Sequence, residues 1–408
     1  MKASVDVVTV FLNIGSKKHK VGRLAYKSRN IYFEYDASFI KMGLEISPYK
    51  LPLKEGLFLC EERHFDGLWG VFNDSLPDGW GRLLMDRHLA RLGVNYKTIT
   101  PLERLVYVGN YAMGALSYEP EYDHKQEEIG EIVLDELAAS SQEILEGSSD
   151  HMVDELLALG GSSGGARPKA LIQLNQKTNA MVHGVQKLKK GYAHWLVKFA
   201  SSLDSKEIGK IEYAYSLMAR EAKIEMPKTT LLKGKKGTYF ACERFDRKVE
   251  ERFHMHSLAG LLHSDFRYPS LDYDDLLSLT LHLTKKVKEQ EKVFRLACFN
   301  LFSHNRDDHE KNFSFIMDAK GEWFFSPVYD ITFSSGPNGE HSLTFMGEGK
   351  NPNKTHLLEL AKKHHIKDAE LIIEQVVKAV KKWKFFAQEV GVSKKLIGSV
   401  NKVLKECL

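Results

Sequence analysis

The first 120 residues alternate between short apolar runs and turn-forming clusters. Val5–Ile14, Lys20–Tyr26 and Asn30–Tyr35 are rich in Val, Ile, Phe and Tyr, with Gly15-Ser16 and Ser28-Arg29-Asn30 between them. That pattern predicts three strands of a β-meander. Asp6 and Asn13 interrupt the first run and no cleavage site follows, so a strand is expected there and not a signal peptide. Trp80–Leu92 carries Leu83, Leu84, Leu89 and Leu92 at helical spacing, with Gly93 as a stop. Tyr122–Gly130 is polar and acidic and reads as a linker. Strands and a glycine-rich turn are expected between residues 155 and 245. Beyond about residue 252 the period changes to 3.6: Leu271–Glu289, Lys292–Phe302, Lys354–Leu360, Asp368–Val390 and Ser393–Leu404 read as helices. The chain thus divides into a β-rich unit (1–122), a mixed unit (123–250) and a helical unit (251–408). No internal repeat is visible.

Composition narrows the function classes. The 408 residues are 43% hydrophobic and 27% charged, the balance of a globular protein, and the formal charge of +4 is too small to signal a nucleic-acid binder. The lysines crowding the C-terminal part read as solvated helix faces. Cys60, Cys242, Cys298 and Cys407 are scattered without a CxxC pair, which argues against a zinc site or disulfide framework and suits a reducing cytosol. No apolar run approaches the roughly 20 residues that span a bilayer, so no membrane association and a cytoplasmic location are expected.

The most informative stretch is Phe299–Phe315. Within it Asp307 is followed five residues later by Asn312, and Asp330 comes after Val328-Tyr329. Phosphoryl transfer from ATP needs a carboxylate beside the attacking hydroxyl, with an amide oxygen and a second carboxylate on the metal. Kinases meet that need with Asp-x-x-x-x-Asn and a later aspartate. In this reading Asp307 is the catalytic base, Asn312 and Asp330 offer oxygens to Mg²⁺, and His309 brings a cation towards the transferring phosphate. Asp308 is structural. A metal-hydrolase reading of the same run lacks a second group of ligands.

Upstream, Gly160-Gly161-Ser162-Ser163-Gly164-Gly165-Ala166-Arg167-Pro168-Lys169 precedes a short strand, Ala170–Leu174. Closely spaced glycines let backbone N–H groups approach phosphate oxygens. Alone the signal is weak, for the run fits neither the Walker pattern nor the dinucleotide fingerprint. It gains weight from His194–Phe199, whose alternation places Trp195, Val197 and Phe199 on one face and His194, Leu196 and Lys198 on the other. A lysine in such a strand needs an anion, and kinases supply one as nucleotide phosphate. Glu212, in a predicted helix Ile208–Ile224, is the candidate partner of Lys198. Glu243, Arg244 and Phe245, ending the strand from Thr238, are placed to offer backbone groups to an adenine edge. His254-Met255-His256 and His364-His365 lack further ligands and read as surface or packing residues.

Together these segments resemble the HipA family of serine/threonine kinases, the toxin components of bacterial toxin–antitoxin pairs. The likeness is carried by Gly164–Lys169, Glu243-Arg244-Phe245-Asp246-Arg247, Asp307–Phe315, Val328-Tyr329-Asp330, Phe72–Gly79 and Tyr107–Leu116. It implies an α+β, bilobal kinase-like fold with a β-rich N-terminal subdomain, a nucleotide-binding middle and an all-helical C-terminal lobe. It also implies Mg²⁺ and ATP as cofactors, a helix-turn-helix antitoxin (HipB-like) as partner with DNA reached only through it, and a protein substrate such as an aminoacyl-tRNA synthetase. By motif, Lys198 matches the phosphate-binding lysine. The family's loop serine, which the enzyme phosphorylates on itself, corresponds to Ser163 or Ser162, with Ser163 favoured. The Phe-Gly that follows the metal aspartate of ordinary protein kinases is replaced by Ile331-Thr332. Two other functions remain open on the residues alone: a co-repressor acting with a DNA-binding partner, and a small-molecule kinase.

Overall fold

A computed structural model describes residues 5–15, 17–122, 132–160, 164–184, 187–268 and 270–408. The expected meander forms as β1 (Val7–Ile14), β2 (Lys17–Lys27) and β3 (Asn30–Tyr35), with Val8 opposite Leu24 and Leu24 opposite Phe33. Val8, Val10, Leu12 and Ile14 point inwards along β1, the period-two burial of a sheet with one covered face. Two short strands extend it, β4 (Leu57–Leu59) beside β3 and β5 (Leu116–Glu119) beside β1, in the order β4-β3-β2-β1-β5. Helical turns α1 (Ala37–Ile40) and α2 (Gly70–Asn73) and helices α3 (Gly79–Arg91) and α4 (Pro101–Val108) lie between them. The predicted Trp80–Leu92 helix corresponds to α3. The unexpected α4 opens on Thr100-Pro101-Leu102-Glu103, where the Thr100 and Glu103 side chains cap each other's backbone N–H groups.

Residues 134–160 form α5 (Leu134–Glu146) and α6 (Val153–Gly160), so the expected strands begin only afterwards. The proposed linker Tyr122–Gly130 falls almost wholly outside the described residues. The second sheet contains β6 (Lys169–Leu174), β7 (Met181–His183), β8 (Ala193–Lys198), β9 (Thr229–Lys233) and β10 (Thr238–Glu243), ordered β7-β6-β8-β10-β9 and antiparallel throughout. One face is apolar: Ala170, Ile172, Trp195, Val197 and Ala241 pack with Leu156 and Leu159 of α6 and with Trp80 and Leu84 of α3. The other face carries Lys169, Leu196, Lys198, Phe240 and Cys242 towards a cleft. Helix α7 (Ile208–Glu221) packs against β10 and β9.

The third part corrects one expectation, because it is not all-helical. After β11 (Arg247–Lys248) and β12 (Glu251–Arg252), strand β13 (His254–Ser257) pairs with β14 (Ser314–Met317), which pairs with β15 (Trp323–Phe325). Phe315, Met317, Trp323 and Phe325 are buried together with both β13 histidines, so a dense apolar patch rather than alternation makes this sheet. The helices are α8 (Leu258–Leu262), α9 (Tyr273–Thr284), α10 (Val287–Phe302), α11 (Lys354–Lys363), α12 (Ala369–Val380), α13 (Trp383–Glu389) and α14 (Lys394–Cys407). The first predicted break moves from residue 290 to Lys285, which has φ 56°, and the Thr284 hydroxyl accepts the next N–H, from Lys286. Asp368–Val390 is two helices, parted at Lys381-Lys382.

One continuous core joins the N-terminal sheet, α7 and the C-terminal helices. At the joint, α2 crosses α8 where Gly70 meets Gly260, and a Cβ on Gly70 would strike the Gly260 backbone. Buried histidines stitch the same seam. His254 Nε2 pairs with the Ile46 carbonyl (2.8 Å), His256 bridges Asp74 (2.6 Å) and Ser47 (3.0 Å), and His263 bridges Glu62 (2.6 Å) and the Gly70 N–H (2.9 Å). His254 and His256 are therefore packing residues, as is His364, which pairs with Asp274 at 2.8 Å.

Candidate active site

A cleft of about 490 Å³ opens between the polar face of the second sheet and the segment after α10. The glycine-rich turn contributes Gly164, Gly165, Ala166 and Arg167 to its wall; Ser162 and Ser163 lie outside the described residues. Lys169 and Lys198 stand directly opposite each other on β6 and β8, so register alone brings both ammonium groups to the cleft. Lys198 Nζ donates to Glu212 Oε1 of α7 (2.5 Å) and to Asp330 Oδ1 (2.6 Å). Burial opposes its charge, but Asp330 and Glu212 outweigh that and hold the ammonium above its ordinary range. Asp330 is reciprocally held well below the carboxylate range, burial being overcome by Lys198 and Lys169. Lys169, whose Nζ donates to the Gly164 carbonyl, lacks such a pair, and burial pushes it down to about 8, with Asp330 opposing and Lys198 reinforcing the fall. Arg167 reaches Asp204 at 3.1 Å.

Asp307 and Asn312 belong to the turn after α10. The Asn312 amide nitrogen donates to the Asp307 carbonyl (2.8 Å) and its N–H to the His309 carbonyl (2.8 Å), closing the segment on itself. Among the described residues no hydrogen bond engages the amide oxygen of Asn312, which lines the cleft. The Asp307 side chain is 55% exposed, yet the protein atoms around it and the Asp330 carboxylate raise its pKa, while His309 and Arg167 pull the other way. His309 Nε2 lies 4.0 Å from the Asp307 carboxylate. Its Nδ1 is buried with no hydrogen-bond partner among the described residues, and its ring leans on Phe266. Asp308 is structural, as its position implied: it is buried and accepts from Tyr273, His341 and the Ser342 N–H, each at 2.8 Å. Asp330 adopts φ 55°, an uncommon conformation for a non-glycine residue. Beside it the Tyr329 hydroxyl ties the Lys311 carbonyl (2.7 Å) to Ser314 (2.6 Å).

At the far end of the cleft, the N–H groups of Glu243 and Arg244 are already bonded to the carbonyls of Lys228 and His194, both at 2.8 Å. Of the backbone groups expected to meet a base, the two N–H groups are thus already engaged, which leaves the carbonyls and Phe245 as candidates. The Arg244 side chain turns away to Asp246, which also takes Arg247 (2.7 Å) and the Gly114 N–H (2.8 Å). This buried knot fixes the loop before β5, and Met113 of that loop lines the cleft.

Among the described residues no three His, Cys, Asp or Glu side chains are grouped to hold a metal ion. Asp330 and Asn312 nevertheless fit Mg²⁺, which keeps waters, shares phosphate oxygens and needs only one or two protein oxygens.

Two cleft residues escaped the sequence reading. Lys311 Nζ reaches Asp78 Oδ2 of the N-terminal unit at 2.6 Å and lies 4.8 Å from the Phe266 ring. The other oxygen of Asp78 accepts the Gly165 N–H. Burial opposes the Asp78 charge, but Lys311 and that N–H hold its carboxyl below the usual range. Phe72–Gly79 was singled out only for its family likeness; nothing local says that its last aspartate reaches the cleft.

Residues 161–384 match the HipA-like C-terminal domain and residues 12–119 the HipA N-terminal domain. No curated protein sequence matches. The fold is similar to HipA of Shewanella oneidensis MR-1, solved with HipB and operator DNA, at a TM-score of 0.70 and 16% identity, covering 98% of this chain and 96% of that one. A second solved structure, the proinflammatory kinase CtkA of Helicobacter pylori, aligns at a TM-score of only 0.34 and 12% identity over 53% of this chain and 92% of that one, too low to weigh. No helix among the described residues is long and apolar enough to cross a membrane. With matching models over both its N-terminal unit and more than half of its length, this chain belongs to the HipA family.

Proposed function

We propose that this protein is an ATP-dependent serine/threonine protein kinase that acts as a growth-arresting toxin. The observation that carries the reading is the convergence of Lys198, Glu212 and Asp330 in one ion-paired group within the cleft that also holds Asp307 and Asn312. Lys198 stays charged whatever the pH of the cell, as a phosphate ligand requires. Asp330 and Asn312 would hold Mg²⁺, which neutralises phosphate charge when bound. Asp307 orients and accepts the proton of the substrate hydroxyl. His309 and Lys311 add positive charge on the acceptor side, and Gly164–Arg167 with Lys169 cover the nucleotide phosphates. The Glu243 and Arg244 carbonyls and the Phe245 N–H meet the adenine edge.

The acceptor is a protein, in the family's pattern an aminoacyl-tRNA synthetase, and the loop serine modified in cis is Ser163 or Ser162. By analogy with the Shewanella complex, the inhibitory partner is a HipB-like helix-turn-helix antitoxin through which DNA is reached, and the working compartment is the cytoplasm. The direct test is transfer from radiolabelled ATP in wild type and in Asp307→Ala, with circular dichroism as a fold control. Equal transfer by both proteins would reject the assignment. Intact-mass analysis after incubation with Mg-ATP reads self-modification: an added phosphate should map to Ser163 or Ser162.

A further inference from the structure

Asp78 occupies the N-cap of α3, where an aspartate ordinarily accepts an N–H of its own helix. It makes no such bond. One oxygen takes the Gly165 N–H of the glycine-rich turn and the other takes Lys311 Nζ. The Trp80 N–H at the start of α3, which a cap could have claimed, donates instead to the Gly165 carbonyl at 3.1 Å. Both polar edges of Gly165 are therefore gripped by one helix end. Gly79 permits the approach: at φ 41° it sits so close that a Cβ would lie 2.6 Å from Ala166 Cα.

We infer that Asp78 is a positioning residue, through which the N-terminal unit docks the glycine-rich turn and aims Lys311 into the cleft. The inference rests on the kinase reading for its purpose but not for its geometry. A helix that gives its own cap to a distant turn loses local stability, and a half-buried carboxylate is costly if left unpaired. Asp78 avoids that cost only while Gly165 and Lys311 are both in place. The Gly165 N–H is thereby withdrawn from phosphate binding and used as an anchor. The glycine-rich turn and the acceptor-side lysine are thus both set by one side chain from a third part of the chain.

Hydrogen–deuterium exchange on the full-length protein reads docking without needing activity. Asp78→Ala should speed exchange in a peptide covering 164–168 at least tenfold, with α7 and β14 peptides unchanged. Asp78→Asn, which keeps an acceptor for the Gly165 N–H, should stay within threefold of wild type. Gly79→Ala, wedging a methyl against Ala166, should free the turn by an independent route, and it serves if Asp78→Ala does not fold. Turn exchange unaltered in Asp78→Ala, or in Gly79→Ala, overturns the inference. If phosphate transfer is measurable, Asp78→Ala should raise KM for ATP about tenfold while kcat falls less than threefold; loss of kcat at constant KM, the mark of a smaller folded fraction, also overturns it. Should wild type transfer no phosphate, the kinase reading fails while the exchange data still decide whether Asp78 docks the turn.

Discussion

The two five-stranded sheets have the same strand count and the same antiparallel pairing, yet only the second turns charged residues into the cleft. In the N-terminal sheet the inward residues, Val8, Val10, Leu24, Phe33 and Tyr35, are nearly all apolar and its outer face holds exposed ion pairs such as Arg23–Glu34. In the second sheet both faces are covered, one by apolar helices and the other by a cleft that receives Lys169 and Lys198. The lesson lies in how each lysine is partnered. Lys198 has two carboxylates and stays charged, whereas its cross-strand neighbour Lys169 has a carbonyl and is pushed down to about 8. A cleft that holds one ammonium saturated and another short of an anion is prepared to receive a second negative group.

Substitutions on the two sheets should separate sharply. The largest effect is expected for Asp330→Ala, which removes the proposed metal oxygen and the partner of Lys198: phosphate transfer should fall by about 10³-fold or more, read by radiolabel transfer at matched folded protein. Transfer within tenfold of wild type would erase the distinction between the sheets. Lys198→Met should cost about 10²-fold and leave Glu212 and Asp330 as unneutralised neighbours, so the Asp330 carboxyl should titrate higher, detectable by carboxyl-carbon NMR. Next comes acid dependence. Asp307 must be ionised to act, and its raised pKa means that protonation on lowering the pH begins earlier than for an ordinary carboxylate near 4; the acid limb of kcat/KM should therefore lie above that value.

A subtler effect belongs to Lys169. Burial pushes it down to about 8 in the free protein, and nucleotide phosphates should raise its pKa, so Mg-ATP binding at mildly alkaline pH should take up a fraction of a proton. Calorimetry in buffers of different ionisation enthalpy measures that fraction, and Lys169→Met should abolish it. The smallest effect on activity is expected from the first sheet. Phe33→Ala should destabilise by about 3–5 kcal/mol in denaturant unfolding, while kcat/KM of the folded fraction changes less than twofold.

Much of this arrangement was legible because it is written at short range. The five-residue spacing of Asp307 and Asn312 survives folding as one closed turn, and strand alternation placed Lys198 opposite Trp195 and Val197 without any knowledge of the third dimension. Glu212 was harder, since helix face and strand face must meet, yet both were predictable as elements. Asp78 and Lys311 were not legible: 233 positions separate them, and each alone looks like a surface charge. The small sheet β13-β14-β15 was hidden for a related reason, because its residues are apolar by contact with one another and not by period. The helix break at Lys285 was misplaced and the one at Lys381-Lys382 missed, because lysine continues a helix as readily as it ends one.

The seam where α2 crosses α8 has a consequence for biosynthesis. The meander is made early, but the residues that cover it at the seam, His254 to His263, leave the ribosome only after the second sheet has been translated. A nascent chain therefore carries a half-covered sheet for much of its synthesis, and the cleft, which borrows Asp74 and Asp78 from the front of the chain and Asp330 from far behind, is complete only after the second sheet has been made. Premature termination anywhere before that aspartate would yield a chain without the Asp330 carboxylate that pairs with Lys198.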